Sequence, residues 1–495
     1  MNSEKIKTTA ARATVWSLLT QLAPKFITPV VNMILARLLA PEAFGAIATI
    51  NLVITFAEVF TDAGFQKYII QHEFEDEESL DKSTNVAFWT NIFVAMAFIA
   101  AIVIFRNPIA SLVGSPDLGS AIAISSINIL LVTLSSTQTA RYNRSMNFKT
   151  LFYARICTIF LPLVVTVPLA FIMRNYWALL IGTLVTHFSN TLILTIFSKW
   201  RPKLYFSSKI FREMFGFSTW LLLDSIAIWL TSYIGTLMIG RALDAHHLGL
   251  YKTSITTVNS ITNIIVMAIG PVMFSELSRC QNDDLQMKTT FLKYQRLSAI
   301  ILIPLGIGMF IFKDLVTWVL LGPQWSEVVD FVGIWALVST VGIVFSNFCS
   351  TYYRSKGKPR VALICQIAYL AVLIPAIAIS VKHGFQTLFY VRSIVALTPV
   401  IISLFVMKVL FGYTISETIM NIFPTTLSAL VMGGVGWLLK HVITSYIWQF
   451  VCVFICIVTY FTVLLLFPKS RKEIFGLDLV QKILKRKPKI SESNE

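Results

Sequence analysis

Apolar residues run along this chain in stretches about 20 long, broken by short polar segments. A helix rises about 1.5 Å per residue, so each stretch is long enough to cross the roughly 30 Å apolar core of a bilayer. Fourteen such stretches can be counted, the first at 13–37 and the last at 443–467. The pattern predicts an all-α polytopic membrane protein with about 14 transmembrane helices. Lys and Arg concentrate on one side of it, with five in 199–214 and eight in the tail after Phe467. Basic loops stay on the cytoplasmic side, so both termini are expected there. One loop on that side carries an acidic run instead: Glu73, Glu75, Asp76, Glu77, Glu78 and Asp81. Acids contribute little to orientation, and the run reads as a solvated loop. Loops on the other side are no longer than about 14 residues, as at 313–326, which leaves no room for an external domain. Beyond Pro468, the positions of Phe475, Leu479 and Ile483 among basic residues predict a helix lying on the inner surface.

The chain also repeats itself. Trp16/Trp220, Arg37/Arg241 and Gly45/Gly249 share an offset of 204, and Tyr142-Asn143-Arg144-Ser145 returns as Tyr352-Tyr353-Arg354-Ser355 at 210. Six helices followed by six in the same orientation imply two lobes related by a pseudo-twofold axis along the membrane normal. The expected organisation is a first lobe at 1–198, a basic cytoplasmic linker at 199–214 and a second lobe at 215–412. Two further helices at 413–467 and a basic tail at 468–495 complete it. In transporters built this way the substrate site lies between the halves, near the midplane.

Polar residues inside membrane spans are costly and point to cavities or neighbouring helices. In the first span Ser17, Gln21, Lys25, Thr28 and Asn32 form one stripe, and Asn51, Thr55, Glu58 and Asp62 form another in the second. The seventh span has Asp224, Ser225, Thr231, Ser232 and Thr236, and the eighth has Lys252, Thr256, Asn259, Ser260 and Asn263. The fourth span is also rich in Ser and Thr, which could simply bond neighbouring helices. Lys25 stands out because an ammonium at mid-span costs about 2.5–3.5 kcal/mol and needs a partner or water. Asp224 falls at a similar depth, so a Lys25–Asp224 pair across the two halves is geometrically possible, either structural or as a gate. Arg392 lies about 12 Å in from the outer end of its span. Arg155 reads as snorkelling to the inner surface, and His187 as a packed histidine.

Composition narrows the function classes. Hydrophobic residues make up 56% of the chain and charged ones 13%, with a mean hydropathy of +0.73, which excludes a set of soluble domains. The net charge of +16 fits basic loops facing anionic lipids, and no nucleic acid is expected as a partner. The six cysteines form no disulfide framework, and Cys452 and Cys456 lack companion ligands for a metal. No nucleotide loop, zinc-protease motif or nucleophile elbow is present, so neither ATP-driven transport by this chain nor a catalytic site is expected.

The fourteen spans, the six-plus-six repeat and the turn Arg37-Leu38-Leu39-Ala40-Pro41-Glu42-Ala43-Phe44-Gly45 together resemble one family. It is the polysaccharide flippases of the multidrug/oligosaccharidyl-lipid/polysaccharide exporter superfamily, of which the Wzx-type branch is most similar. The resemblance covers about residues 10–467. It implies a bacterial cytoplasmic-membrane protein that moves oligosaccharide repeat units on undecaprenyl pyrophosphate from the inner to the outer leaflet by alternating access. It also implies a cationic cavity between two lobes. On that reading Lys25 takes the pyrophosphate, with Arg37, Arg241 and Lys252 near the outer opening and Arg392 as a further cation. Gln21, Asn32, Asn51 and Asn259 would meet sugar hydroxyls, while Asp224 and Glu58 would serve as gate or ion-coupling groups. No cofactor is implied, proton or sodium coupling stays open, and polysaccharide polymerase and other assembly proteins are candidate partners of a monomer. The alternatives are a cation-coupled multidrug antiporter of the same fold, a flippase for the peptidoglycan precursor lipid II and, more remotely, a membrane polymerase or glycosyltransferase. The absence of an acid from the first span argues against the antiporter, and the short outer loops argue against the enzyme.

Overall fold

A computed structural model of the chain describes residues 3–468, apart from 63, 199 and 444, together with Arg471. The surface helix expected in the tail therefore lies outside the described residues. The same holds for the side chains of Lys25, Asp62 and Trp220 and for most side chains before Thr20. The described residues form helices and no strands.

Fourteen long helices follow the apolar stretches: α1 Ser3–Leu38, α2 Pro41–Asp62, α3 Glu77–Ile104, α4 Pro116–Arg144, α5 Phe148–Met173, α6 Tyr176–Phe197 and α7 Ser208–Ala242. After them come α8 Ala245–Arg279, α9 Asp284–Ile311, α10 Pro323–Ser355, α11 Pro359–His383, α12 Phe385–Phe411, α13 Ile415–Lys440 and α14 Tyr446–Leu465. Thirteen of them are long and apolar enough to cross a membrane. In α1 the apolar stretch among the described side chains is Phe26–Leu38, which begins directly after Lys25.

Loop side chains cap several helices. Asn175 accepts from the Trp177 amide at the start of α6, and Asp244 from the His247 amide at the start of α8. The acidic run belongs to this system. Asp76 caps α3 through the Ser79 amide at 2.7 Å, which holds its carboxyl below the usual range. Glu77 and Glu78 follow in the first turn, where the helix dipole favours anions. Asp81 pairs with Arg141 at the end of α4. The run is thus exposed loop at Glu73 and Glu75 and an exposed helix start from Asp76 on.

Buried apolar residues fall into separate clusters. One set, including Ile50, Ala95, Ile122 and Leu180, joins helices of the first six; others, such as Trp325, Phe331, Leu373 and Leu388, join the second group. Helix α7 belongs to both. Met214 near its start packs with Phe65 and Tyr68, and Ile239 near its end packs with Trp325 and Phe331. The segment expected as a linker is helical from Ser208, because burial of Met214 draws it into the first group.

The repeat is visible in the backbone. Helix pairs α1/α7 and α2/α8 have boundaries 204 residues apart at their shared turn. The α4–α5 turn bonds Asn147 N–H to the Tyr142 carbonyl, and the α10–α11 turn bonds Lys358 N–H to the Tyr353 carbonyl. Those equivalent bonds are 211 apart, so the turn geometry is displaced by one residue from the matching letters.

Candidate functional site: a cavity between the two helix groups

One face of the bundle carries the α2–α3, α4–α5, α6–α7, α8–α9 and α10–α11 loops and most of the basic residues; the α1–α2 and α7–α8 turns lie on the far face. At the far face the two groups meet along α2 and α8. A Cβ built on Gly45 would lie 1.9 Å from the Ala245 carbonyl oxygen, and one on Gly249 would lie 1.8 Å from that of Pro41. Only glycine lets the backbones touch in this way, and the contact is reciprocal, as a pseudo-twofold axis requires. Gly114, at φ +82°, rests on the Gly240 carbonyl, and Gly322, at φ +108°, rests on the Arg37 side chain.

Side chains extend this seal. Arg37 donates to the carbonyls of Trp318 and Val319 at 3.1 and 3.0 Å, at the end of the short helix Lys313–Leu320. Gln324 donates to the Leu39 carbonyl, and the Trp325 indole to that of Ala36 at 2.9 Å. His246 stands between Glu42, at 2.7 Å, and Glu327, at 3.3 Å.

Beneath the seal is a cavity of about 640 Å³. Helices α1 and α2 contribute Thr28, Asn32 and Asn51, and α8 contributes Lys252, Thr253, Thr256 and Thr257. From α5 and α6 come Arg155, Thr158, Thr166, Thr183, Thr186 and His187. Its lining among the described residues holds the basic side chains of Arg155 and Lys252 and no carboxylate. The cavity spans much of the membrane: Lys252 is about 10 Å along α8 from the sealed end, and Arg155 about 10 Å along α5 from the basic face. The Lys252 ammonium sits 4.3 Å from the centre of the Tyr233 ring, with the Ser232 carbonyl at 3.5 Å. A ring face and a carbonyl attract an ammonium without neutralising it, so the charge remains available to an anion.

The expected site residues do not all come together. Asn32, Asn51 and Lys252 line the cavity. Arg37 is engaged in the seal, and Arg241 is exposed at the end of α7. Arg392 and Asn259 lie inside the second group instead. Arg392 is buried, donates to the hydroxyls of Tyr251 at 3.1 Å and Tyr369 at 3.0 Å, and stacks 4.7 Å from the Trp335 ring. Asn259 accepts from the Trp335 indole. Gln21 is exposed on α1, and Glu58 is half-buried on α2. Asp224 faces Arg354 at 3.8 Å, while the Lys25 side chain expected to pair with it lies outside the described residues.

Two of the lining residues read otherwise in the sequence, Arg155 as snorkelling to the inner surface and His187 as a packed histidine. A sequence signal for the first exists, since Arg155, Thr158, Pro162 and Thr166 are spaced by three and four along α5 and form a stripe like those of α1 and α8. A second, apolar groove of about 700 Å³ lies among α9, α10 and α13, walled by residues such as Ile307, Phe345, Phe423 and Leu430.

A family model described as polysaccharide biosynthesis protein matches residues 34–330. The succinoglycan biosynthesis transport protein ExoT of Rhizobium meliloti is 24% identical over 71% of this chain and 70% of its own. The lipopolysaccharide biosynthesis protein WzxC of Escherichia coli is 23% identical over 82% of this chain and 83% of its own. Among solved structures, the lipid II flippase MurJ in an inward closed conformation superposes with a TM-score of 0.72. That match covers 94% of this chain and 100% of the other at 14% identity, a likeness of fold.

Proposed function

The chain belongs to the polysaccharide biosynthesis protein family, and from that premise we propose that it flips undecaprenyl-pyrophosphate-linked oligosaccharides across the bacterial cytoplasmic membrane, from the inner to the outer leaflet. The observation that carries this reading is the cavity between the helix groups, whose lining offers Arg155 and Lys252, many threonine hydroxyls and, among the described residues, no carboxylate. Such a lining suits a ligand with concentrated negative charge at one end and many hydroxyls at the other. Guanidinium and ammonium donors replace the hydration that a pyrophosphate loses on leaving water. Threonines and the Asn32 and Asn51 amides can exchange hydrogen bonds with sugar hydroxyls. The apolar groove of α9, α10 and α13 offers a lipid chain a path beside the helices without exposing it to the polar cavity.

On this reading the basic face is cytoplasmic, by the charge of its loops, and the glycine seal closes the outer end. The cavity then stands closed to the outside, and alternating access requires the seal to part while the basic-face ends of the two groups converge. A negative-inside potential favours outward movement of an anion by about 2.3 kcal/mol per charge per 100 mV. Cationic drugs would meet Arg155 and Lys252 and, among the described lining residues, no acid, which disfavours the multidrug reading.

The test is chemical. In cells carrying Lys252→Ala, Arg155→Ala or both as the sole copy, lipid-linked oligosaccharides are extracted and identified by mass spectrometry. Complete repeat units accumulating while surface polymer falls support the proposal. Unchanged lipid intermediates and normal surface polymer in the double variant contradict it.

A further inference from the structure

The outer seal contains a titratable bridge that neither substrate binding nor helix packing requires. Glu42 and His246 occupy equivalent positions of the repeat, 204 residues apart, one at the start of α2 and the other at the start of α8. The pseudo-twofold axis therefore brings an acid from one group against a histidine from the other. The second ring nitrogen of His246 faces Glu327 at the start of α10.

A neutral imidazole has one N–H and one lone pair. With carboxylates at 2.7 and 3.3 Å from its two nitrogens, a neutral ring would turn that lone pair on one of them. Only the imidazolium donates to both. Among the other titratable groups nearby, His247 bonds Asp244 through its ring at 2.7 Å, and Asp244 also caps α8. The charged side chains at the same end of the neighbouring elements are otherwise committed or turned outward. Arg37 holds the carbonyls of Trp318 and Val319, Asp330 pairs with Lys313, and Arg241 is exposed. The start of a helix is an unfavourable place for a cation, so the charge on His246 depends on Glu42 and Glu327. Its side chain is 29% exposed, which lets protons from the surrounding water reach it.

We propose that the seal is a proton-operated latch: protonated His246 ties Glu42 of the first helix group to Glu327 of the second, and loss of that proton frees the outer end of the cavity to open. The naming of this end as the outer one rests on the flippase reading; the latch itself is a property of the chain. Acidic surroundings at that face hold the cavity shut, and neutral to alkaline surroundings leave two carboxylates apposed across the seal with no cation between them. Histidine changes charge in the range where this matters.

Spin labels at Arg106→Cys, exposed between α3 and α4, and Lys382→Cys, exposed at the end of α11, report the opening at that end of the two groups. The protein carrying them, with its native cysteines replaced, is measured in lipid nanodiscs by double electron–electron resonance. Between about pH 5.5 and about pH 8, a longer-distance population is expected to grow about fivefold relative to the short one. His246→Gln, which cannot take up a proton, is expected to show the longer population at both values. His246→Arg, whose fixed charge can still reach both carboxylates, is expected to keep the short distance at both. Identical distributions at the two pH values without a latch substitution would overturn the proposal. So would a pH response that survives in His246→Gln or His246→Arg. The measurement uses no glycolipid, so a failed latch leaves the flippase reading standing, and a failed flippase reading is seen only in the lipid assay.

Discussion

Among the cations of this protein, Lys252 and Arg392 make the sharpest contrast. Lys252 faces the cavity with a tyrosine ring and a carbonyl beside it, whereas Arg392 is enclosed by two tyrosine hydroxyls and a tryptophan. The two should fail differently. Replacing Lys252 with alanine removes a charged hydrogen-bond donor worth about 1.5–3 kcal/mol to a bound anion, so export should fall by about 10- to 100-fold with little change in melting temperature. Lys252→Arg, which keeps the charge, should retain most activity. Replacing Arg392 with alanine leaves two buried hydroxyls without their partner, at about 1–3 kcal/mol each. The expected result is a lower melting temperature for the purified protein, measured by tryptophan fluorescence during heating, before any specific effect on transport. Equal melting temperatures for Arg392→Ala and the unsubstituted protein would show that the enclosed guanidinium has no structural role.

At the scale of elements, the crossing of α2 and α8 is set by two glycines of the repeat. A side chain at Gly45 or Gly249 must displace a backbone carbonyl, and overpacking of this kind costs about 1–3 kcal/mol. Gly45→Val should therefore weaken the sealed state and raise access to the cavity from the far face, seen as faster labelling of a cysteine placed at Thr256. Labelling no faster than in the parent would mean that the seal is held elsewhere. The glycine pair was legible in the sequence as a repeated letter, and so were the stripes that brought Asn32, Asn51 and Lys252 to the cavity. Arg155 was read from its depth alone, which cannot separate a side chain reaching for the surface from one facing a cavity; its spacing with Thr158, Pro162 and Thr166 was the signal that does. That stripe faces the space that α1, α5 and α6 enclose with α8. Arg392 escaped for a related reason: its partners come from α8, α10 and α11, and no single helix shows that three others close over it. The acidic run is exposed, as a solvated loop is, but its second half also starts α3, and Asp81 pairs with Arg141 at the end of α4.

For the molecule as a whole, the arrangement is a barrier closed at one end, with a cationic, hydroxyl-lined space reaching from it toward the basic face. The helical fold class followed from the apolar runs alone, because a run of about 20 apolar residues crosses lipid with its backbone satisfied only as a helix. What moves through that space is a matter of the site rather than of the fold, which lipid II flippases share. The direct test is to reconstitute the purified protein in vesicles with a fluorescent undecaprenyl-pyrophosphate oligosaccharide in both leaflets. A membrane-impermeant quencher added outside measures the exposed fraction over time. The flippase account predicts that quenching proceeds past the outer-leaflet half toward completion, and that it stops near half when Lys252→Ala and Arg155→Ala are combined. Quenching that halts at half with the unsubstituted protein, in vesicles where its correct folding has been verified, would contradict it.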